Sequence, residues 1–289
     1  MAGMGSRDIK RKIRSVNSTK QITKAMELVS TAKLKRAKDK VDITKPYFNQ
    51  VVETVQEIVQ SEKSLKHEYL SYRDVKKTLY IVIAADRGLC GGYNINVAKR
   101  ALAEAPDRAK ASFITVGKKT RDFFTKMNCE IVKDYLYISE KPTYGDAQDI
   151  ARRALRLYET EQVDAIKLVY TRLISTISQV PEVLSLLPAA VPTAEEKPGA
   201  DGEAKFTTYE PSAEAVLSYL IPKYIESTIF GAMIESAACE QAARRVAMES
   251  ASDNADEMIE TLTLTYNQAR QSAITQEISE IVSGAEALK

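Results

Sequence analysis

The chain has 289 residues, of which 44% are hydrophobic and 28% charged, with a formal net charge of +2. That is enough apolar material for one or two domains with a core, and it excludes a disordered chain. There is no run of 18 apolar residues, and the opening MAGMGSRDIKRKIRS has no apolar signal core, so neither a membrane span nor a cleaved export signal is expected.

From Arg7 to Lys45 the chain has no glycine or proline, and Ile9, Ile13, Val16, Ile22, Met26, Val29, Ala32, Ala37 and Val41 recur at helical spacing. The pattern resumes after Pro46 with Phe48, Val51, Val52, Val55, Ile58 and Val59, so a kink or short break is expected at Pro46. Lys63 to Lys77 is polar. Thr78 to Ala85 is a nearly continuous apolar run, as expected of a strand buried on both faces. A glycine-rich turn follows at Asp86 to Tyr93, then a helix over Asn94 to Ala105.

The alternation continues with strands at Ser112 to Val116, Glu130 to Ile138 and Ala165 to Leu173, and helices at Lys118 to Met127 and Asp146 to Thr160. Pro181 to Pro188 is a further strand candidate beside the last of these. Such an alternation implies a mostly parallel sheet covered by helices. Ala189 to Phe206 holds two prolines and two glycines and reads as an exposed, mobile loop. Glu210-Pro211-Ser212 is a helix start, since Ser caps well, and a bend is expected at Pro222.

Lys223 to Ser283 has no proline and one glycine, Gly231, and reads as one helix. Its apolar stripe runs through Tyr224, Thr228, Ala232, Ala238, Ala242, Val246, Met258, Leu262, Tyr266, Ala269, Ala273, Ile278 and Ile281, with an interruption at Ser250 to Asp256. At about 1.5 Å per residue it is roughly 90 Å long, against about 50 Å for a compact globule of this chain length, so it should project out of its own domain.

A one-striped helix needs a partner, and the N-terminal helix is the available one. Charge agrees. Residues 1–45 carry thirteen basic side chains against four acidic ones, a balance of +9; residues 212–289 carry five against twelve, a balance of −7. Exposed pairs contribute only tenths of a kcal/mol each, roughly, but opposite signs favour an antiparallel docking in which the longer C-terminal helix overhangs.

Gly88-Leu89-Cys90-Gly91-Gly92 lies between a strand and a helix, where phosphates bind in doubly wound folds. It matches neither GxGxxG nor GxxxxGK[ST], lacking the lysine that would reach the phosphates, and reads as a tight turn whose glycines allow close packing rather than as a nucleotide site. His67 is the only histidine and lies in a polar segment, so a histidine triad, metal site or general base has no support. The basic N-terminal helix lacks aromatics for stacking on nucleic acid. Cys90, Cys129 and Cys239, odd in number and far apart, fit reduced thiols of an intracellular protein, with Cys239 a packing residue. A nucleotide-binding α/β enzyme with helical arms and a static coiled-coil adaptor stand as rival readings.

Four segments carry a resemblance: Ile22 to Lys38, Ala84 to Asn94, Glu235 to Ala255, and Tyr266 to Leu288, the last the most specific. Together they are similar to the signature segments of the gamma subunit of F-type ATP synthases, from end to end of the chain. Ala84-Ala85 departs from the Ser or Thr that relatives often carry there. Nothing matches the added cysteine-pair segment of plastid members, so thiol regulation of that type is not implied, and the lack of a recognisable transit peptide favours a bacterial membrane.

The resemblance implies an α/β fold in which a Rossmann-like domain (63–211) is inserted between terminal helices (1–62 and 212–289) that form an antiparallel coiled coil. It implies a rotor, present once per complex, that turns within an alpha3beta3 hexamer and sits with the epsilon subunit on the membrane c-ring, at the cytoplasmic face. Such a subunit couples proton or sodium-ion flow to the beta-subunit sites and regulates ATPase activity without cofactor or catalysis of its own. Met26, Lys33, Arg270, Gln271 and Thr275 are expected to face the ring, with Ile278, Ile281 and Val282 as an apolar bearing and Leu288 beyond it.

Overall fold

A computed structural model describes residues 6–61, 68–70, 73–188 and 212–287. The expected loop at 189–206, His67 and Leu288 lie outside the described residues. The elements run α1 (Ser6–Ser61), β1 (Thr78–Ile83), α2 (Tyr93–Glu104), a 3-10 turn (Arg108–Lys110), β2 (Ala111–Val116), α3 (Lys118–Lys126), β3 (Glu130–Tyr135), α4 (Tyr144–Glu159), β4 (Ala165–Leu173), β5 (Gln179–Leu187) and α5 (Ala213–Ala287). The chain divides into two compact units, one of residues 32–243 and one of residues 1–31 with 244–289.

In the larger unit the strand order is β3-β2-β1-β4-β5, with the first four parallel and β5 antiparallel to β4. Period-2 geometry splits β1 between two cores. Leu79, Ile81 and Ile83 enter one core, with Ile150 and Tyr158 of α4, Val55 and Ile58 of α1, and Leu217, Ile221, Ile225 and Ile229 of α5. Tyr80 and Val82 enter the other, with Val97 of α2, Phe113 of β2 and Phe124 of α3. Phe113 is stacked between Tyr80 at 5.5 Å and Phe124 at 4.4 Å.

Thr143 caps α4 reciprocally with Asp146, and the Ser212 hydroxyl accepts the Ala215 N–H at 3.2 Å, the cap expected of α5. Gly117 is a glycine that backbone geometry demands. Its φ is +97°, and a Cβ there would stand 2.4 Å from the Ala84 carbonyl oxygen.

Of the kink or short break expected at Pro46, the break does not occur, since α1 runs through it; Pro46 is exposed, so water can take the carbonyl its missing N–H leaves. Pro222 lies inside an uninterrupted α5. The third strand stops at Tyr135 because Tyr137 has φ +64° and gives its N–H to Asp86 at 2.8 Å.

In the smaller unit, Thr23 and Ser252 share a buried hydroxyl bond of 2.7 Å, and Lys20 Nζ lies 2.5 Å from Asp256 Oδ1. Moving toward the N-terminus of α1 thus moves toward the C-terminus of α5, the expected antiparallel pairing. The polar interruption at Ser250 to Asp256 is where this contact is made. Ser252 is buried and gives its hydroxyl to Met248 O at 3.0 Å, so it satisfies the helix rather than competing with it.

Candidate interaction surfaces

The register of the smaller unit places Ser6, the first described residue of α1, level with Arg270 of α5. Ile9, one turn inside that end, is 2% exposed. Beyond it α5 continues without cover from the described part of its own chain, and residues 271–285 are all exposed. Ile274, Ile278, Ile281 and Val282 lie there at helical spacing and keep 44–71% of their surface. Four branched apolar side chains on one face of a terminal helix form a contiguous patch that the described chain leaves wet.

The neighbouring face is uncharged and polar, with Gln268, Gln271, Ser272, Thr275, Gln276 and Ser279 along a shallow groove. The Thr275 hydroxyl is held by Gln271 O at 2.9 Å. Arg270 is exposed and makes no ion pair among the described residues. Its planar fork of donors is therefore presented outward, suited to a carboxylate. Arg270, Gln271, Thr275, Ile278, Ile281 and Val282 are thus brought together by one stretch of α5, whereas Met26 is half-buried on α1 in the same unit.

Lys33 belongs to the larger unit and is ion-paired with Glu140. It lies in a cleft of about 420 Å³ that also gathers Arg36, Lys40, Arg87 and Lys141. Glu140 is the only acid among the described lining residues. Gln241 Nε2 is buried at the same place without a hydrogen-bond partner. Positive charge in a recess raises the local concentration of anions, and an acidic segment is the complementary occupant. The sequence reading singled out Lys33 alone. The spacing of Lys33, Arg36 and Lys40 on one helix face was available to it, but Arg87 and Lys141 join only through the fold.

The glycine turn after β1 is organised by side chains. Asn94 accepts the Ala85 N–H at 2.9 Å and donates to Arg87 O at 3.2 Å. Asp86 accepts N–H groups from Lys118 (2.9 Å), Tyr137 (2.8 Å) and Ser139 (3.2 Å), and the Ser139 hydroxyl at 2.8 Å. Asp86 therefore ties together the ends of three strands, a role its sequence position after β1 did not announce. Such carboxylate hydrogen bonds are among the stronger kind. The turn reads as a braced corner rather than a phosphate cradle.

Cys239 is buried and gives its thiol to Thr171 O at 3.3 Å, and burial pushes that thiol's pKa up. Among the described residues no cluster of metal-ligating side chains occurs, and no helix is long and apolar enough to cross a membrane.

Comparison with known proteins identifies the family. A family model described as ATP synthase matches residues 5–288. The ATP synthase gamma chain of Alkaliphilus metalliredigens is 54% identical over 99% of this chain and 100% of its own length. The sodium-ion-specific gamma chain of Acetobacterium woodii is 45% identical over 97% and 98%. Among solved structures, the central stalk and c-ring of the Tetrahymena thermophila mitochondrial ATP synthase contains a chain that is 27% identical, with TM-score 0.62, over 80% of this chain and 99% of that one. A chain of the Euglena gracilis mitochondrial enzyme shares the fold at 21% identity and TM-score 0.69 over 98% and 94%. The chain belongs to the ATP synthase gamma chain family.

Proposed function

We propose that this chain is the rotor of an F1Fo ATP synthase: a single central-stalk subunit that turns inside an alpha3beta3 hexamer and rests with epsilon on the c-ring. The observation that carries this reading is the uncovered end of α5, where Ile274, Ile278, Ile281 and Val282 stand exposed beyond the reach of α1. An apolar collar with an uncharged polar flank suits a bearing that must slide, because dispersion and burial are non-directional and ion pairs are not.

Arg270, Gln271 and Thr275 would meet the ring just below that bearing, with Met26 beside them on α1. Lys33 and its basic cleft would receive acidic segments of ring subunits in turn. Each rotational position would then stabilise a different conformation at the three beta-subunit sites, which is differential binding expressed as torque. Ion flow, of protons or sodium ions, would turn the shaft for synthesis at the cytoplasmic face of the membrane. ATP hydrolysis would turn it back, and its contacts would regulate ATPase activity. The chemistry itself is assigned to the beta subunits. The terminal segments 1–62 and 212–289 would form the shaft, and 63–211 its foot.

The test is single-molecule rotation of the F1 complex assembled with this chain, with a bead attached to the exposed Tyr137 position through Tyr137→Cys. Unidirectional ATP-driven rotation is expected. Hydrolysis with a stationary bead would favour the static tether instead.

A further inference from the structure

Arg36, Lys40, Arg87 and Lys141 share the cleft of about 420 Å³ in the larger unit, and their side chains have no hydrogen-bond or ion-pair partner among the described residues. Lys33 is the fifth cation there, and its partner Glu140 is the only acid, so the described lining keeps four positive charges unbalanced. Lys33, Arg36 and Lys40 follow one another at helical spacing on α1, a span of about 10 Å at 1.5 Å per residue. Like charges at such spacing repel and weaken the helix that carries them. The described lining holds no carboxylate of α1 to relieve them.

Arg87 and Lys141 complete the cleft from the loops after β1 and β3. Those two loops are fixed to each other. Asp86 accepts the Ser139 N–H at 3.2 Å and its hydroxyl at 2.8 Å, and Asn94 donates to Arg87 O at 3.2 Å. Their backbones are therefore set before any ligand arrives, which lowers the cost of binding. The rest of the described lining is Ala37, Pro142, Ile234, Ala237 and Gln241. No aromatic ring is among them, so a nucleobase has no platform to stack on. Gln241 Nε2 is buried without a hydrogen-bond partner, an unmet donor that favours an acceptor-rich occupant.

Arg36 and Arg87 each offer a planar fork to phosphate oxygens, and Lys40 and Lys141 add point charges. A carboxylate brings one charge and two acceptor oxygens, whereas linked phosphates bring more of both along the same length. We propose that, when no acidic segment covers it, this cleft binds a short chain of linked phosphates without a nucleoside, lying along Lys33, Arg36 and Lys40 and clasped by Arg87 and Lys141. The proposed ring contacts would use the same side chains, so the two occupants exclude one another. A titration of the chain without ring subunits therefore tests the site apart from the rotor reading.

The test is isothermal titration calorimetry of the purified full chain in magnesium-free buffer, at about 0.1 M salt to screen distant charges. Sodium tripolyphosphate is the probe, with orthophosphate, ATP and hexaglutamate for comparison. One saturable site is expected, roughly tenfold or more tighter for tripolyphosphate than for orthophosphate or hexaglutamate, with ATP no tighter than tripolyphosphate. Arg87→Gln with Lys141→Gln should weaken it roughly tenfold or more without lowering the melting temperature, because both side chains are exposed and unpaired. Arg36→Gln with Lys40→Gln should act alike. Lys10→Gln with Lys12→Gln, which removes two exposed cations of the smaller unit, should weaken it less than about twofold. Equal losses from the cleft and control pairs would reveal diffuse attraction to a basic surface. Tighter binding of hexaglutamate would assign the cleft to acidic protein segments alone, and tighter binding of ATP would make it a nucleotide site. Any of these results, or the absence of saturable binding, would overturn the proposal.

Discussion

Two stretches of α5 have the same secondary structure and opposite surroundings. Between Leu217 and Ala242, sixteen residues are buried, and small side chains such as Ala237, Ala238 and Ala242 let neighbours approach. Between Gln271 and Ala285 no residue is buried, although Ile274, Ile278, Ile281 and Val282 are as apolar as anything upstream. Helix propensity alone does not explain that difference, because both stretches are helical. The first stretch has its partner in its own chain, and the second carries an apolar face whose partner must come from elsewhere.

The sharpest way to test that contrast is to remove buried and exposed apolar groups in parallel. Phe113→Ala, between Tyr80 and Phe124, is expected to cost about 3–5 kcal/mol in chemical unfolding of the chain. Ile281→Ala should cost the chain less than about 0.5 kcal/mol, since the side chain is already wet. A comparable loss from both would erase the distinction.

The exposed end should instead answer in the assembled enzyme. Arg270→Ala with Gln271→Ala is expected to change turnover and coupling roughly tenfold, because a charge-assisted contact is typically about 1.5–3 kcal/mol. Nucleotide affinity at noncatalytic sites should not move. Unaltered turnover and ATP yield with normal assembly would show that these side chains only solvate the helix.

Within the smaller unit, Thr23→Val deletes one partner of the buried bond to Ser252 and should lower stability by about 0.5–1.5 kcal/mol by thermal melting. Lys20→Ala, opposite the half-exposed Asp256, should cost about 0–1 kcal/mol, and less as salt is raised. If the ion pair proved the stronger of the two, charge rather than packing would govern the pairing.

The smallest effect is expected at the thiols. Cys90 and Cys239 are buried and Cys129 is half-buried, and burial raises the pKa of both Cys129 and Cys239, away from the reactive thiolate. Serine at all three should leave the complex insensitive to dithiols and oxidants, as the native complex should be. A dithiol-dependent rate in the native complex would contradict this.

Much of the fold was legible because its signals are local. Thr78 to Ala85 announced a strand through a nearly continuous apolar run, and the charge imbalance of the two ends announced their pairing. What was misread depended on tertiary context. At Pro46 a short break stayed open beside a kink because propensity carries no information on solvent, and Tyr137 ends β3 through a bond to a residue 51 positions earlier. The overhanging end of α5 could be anticipated from helix lengths. The basic cleft could not be, because Arg87 and Lys141 reach it from two different loops.

The bracing at Asp86 has a mechanical consequence. Its four hydrogen bonds run to the segments that follow β2 and β3 while its backbone continues β1, so any shear of one loop past another strains several of them together. Bonds loaded side by side share a force and yield only as a group, whereas bonds loaded end to end unzip singly. A part that must hold its shape under a sideways pull gains stiffness there from one carboxylate.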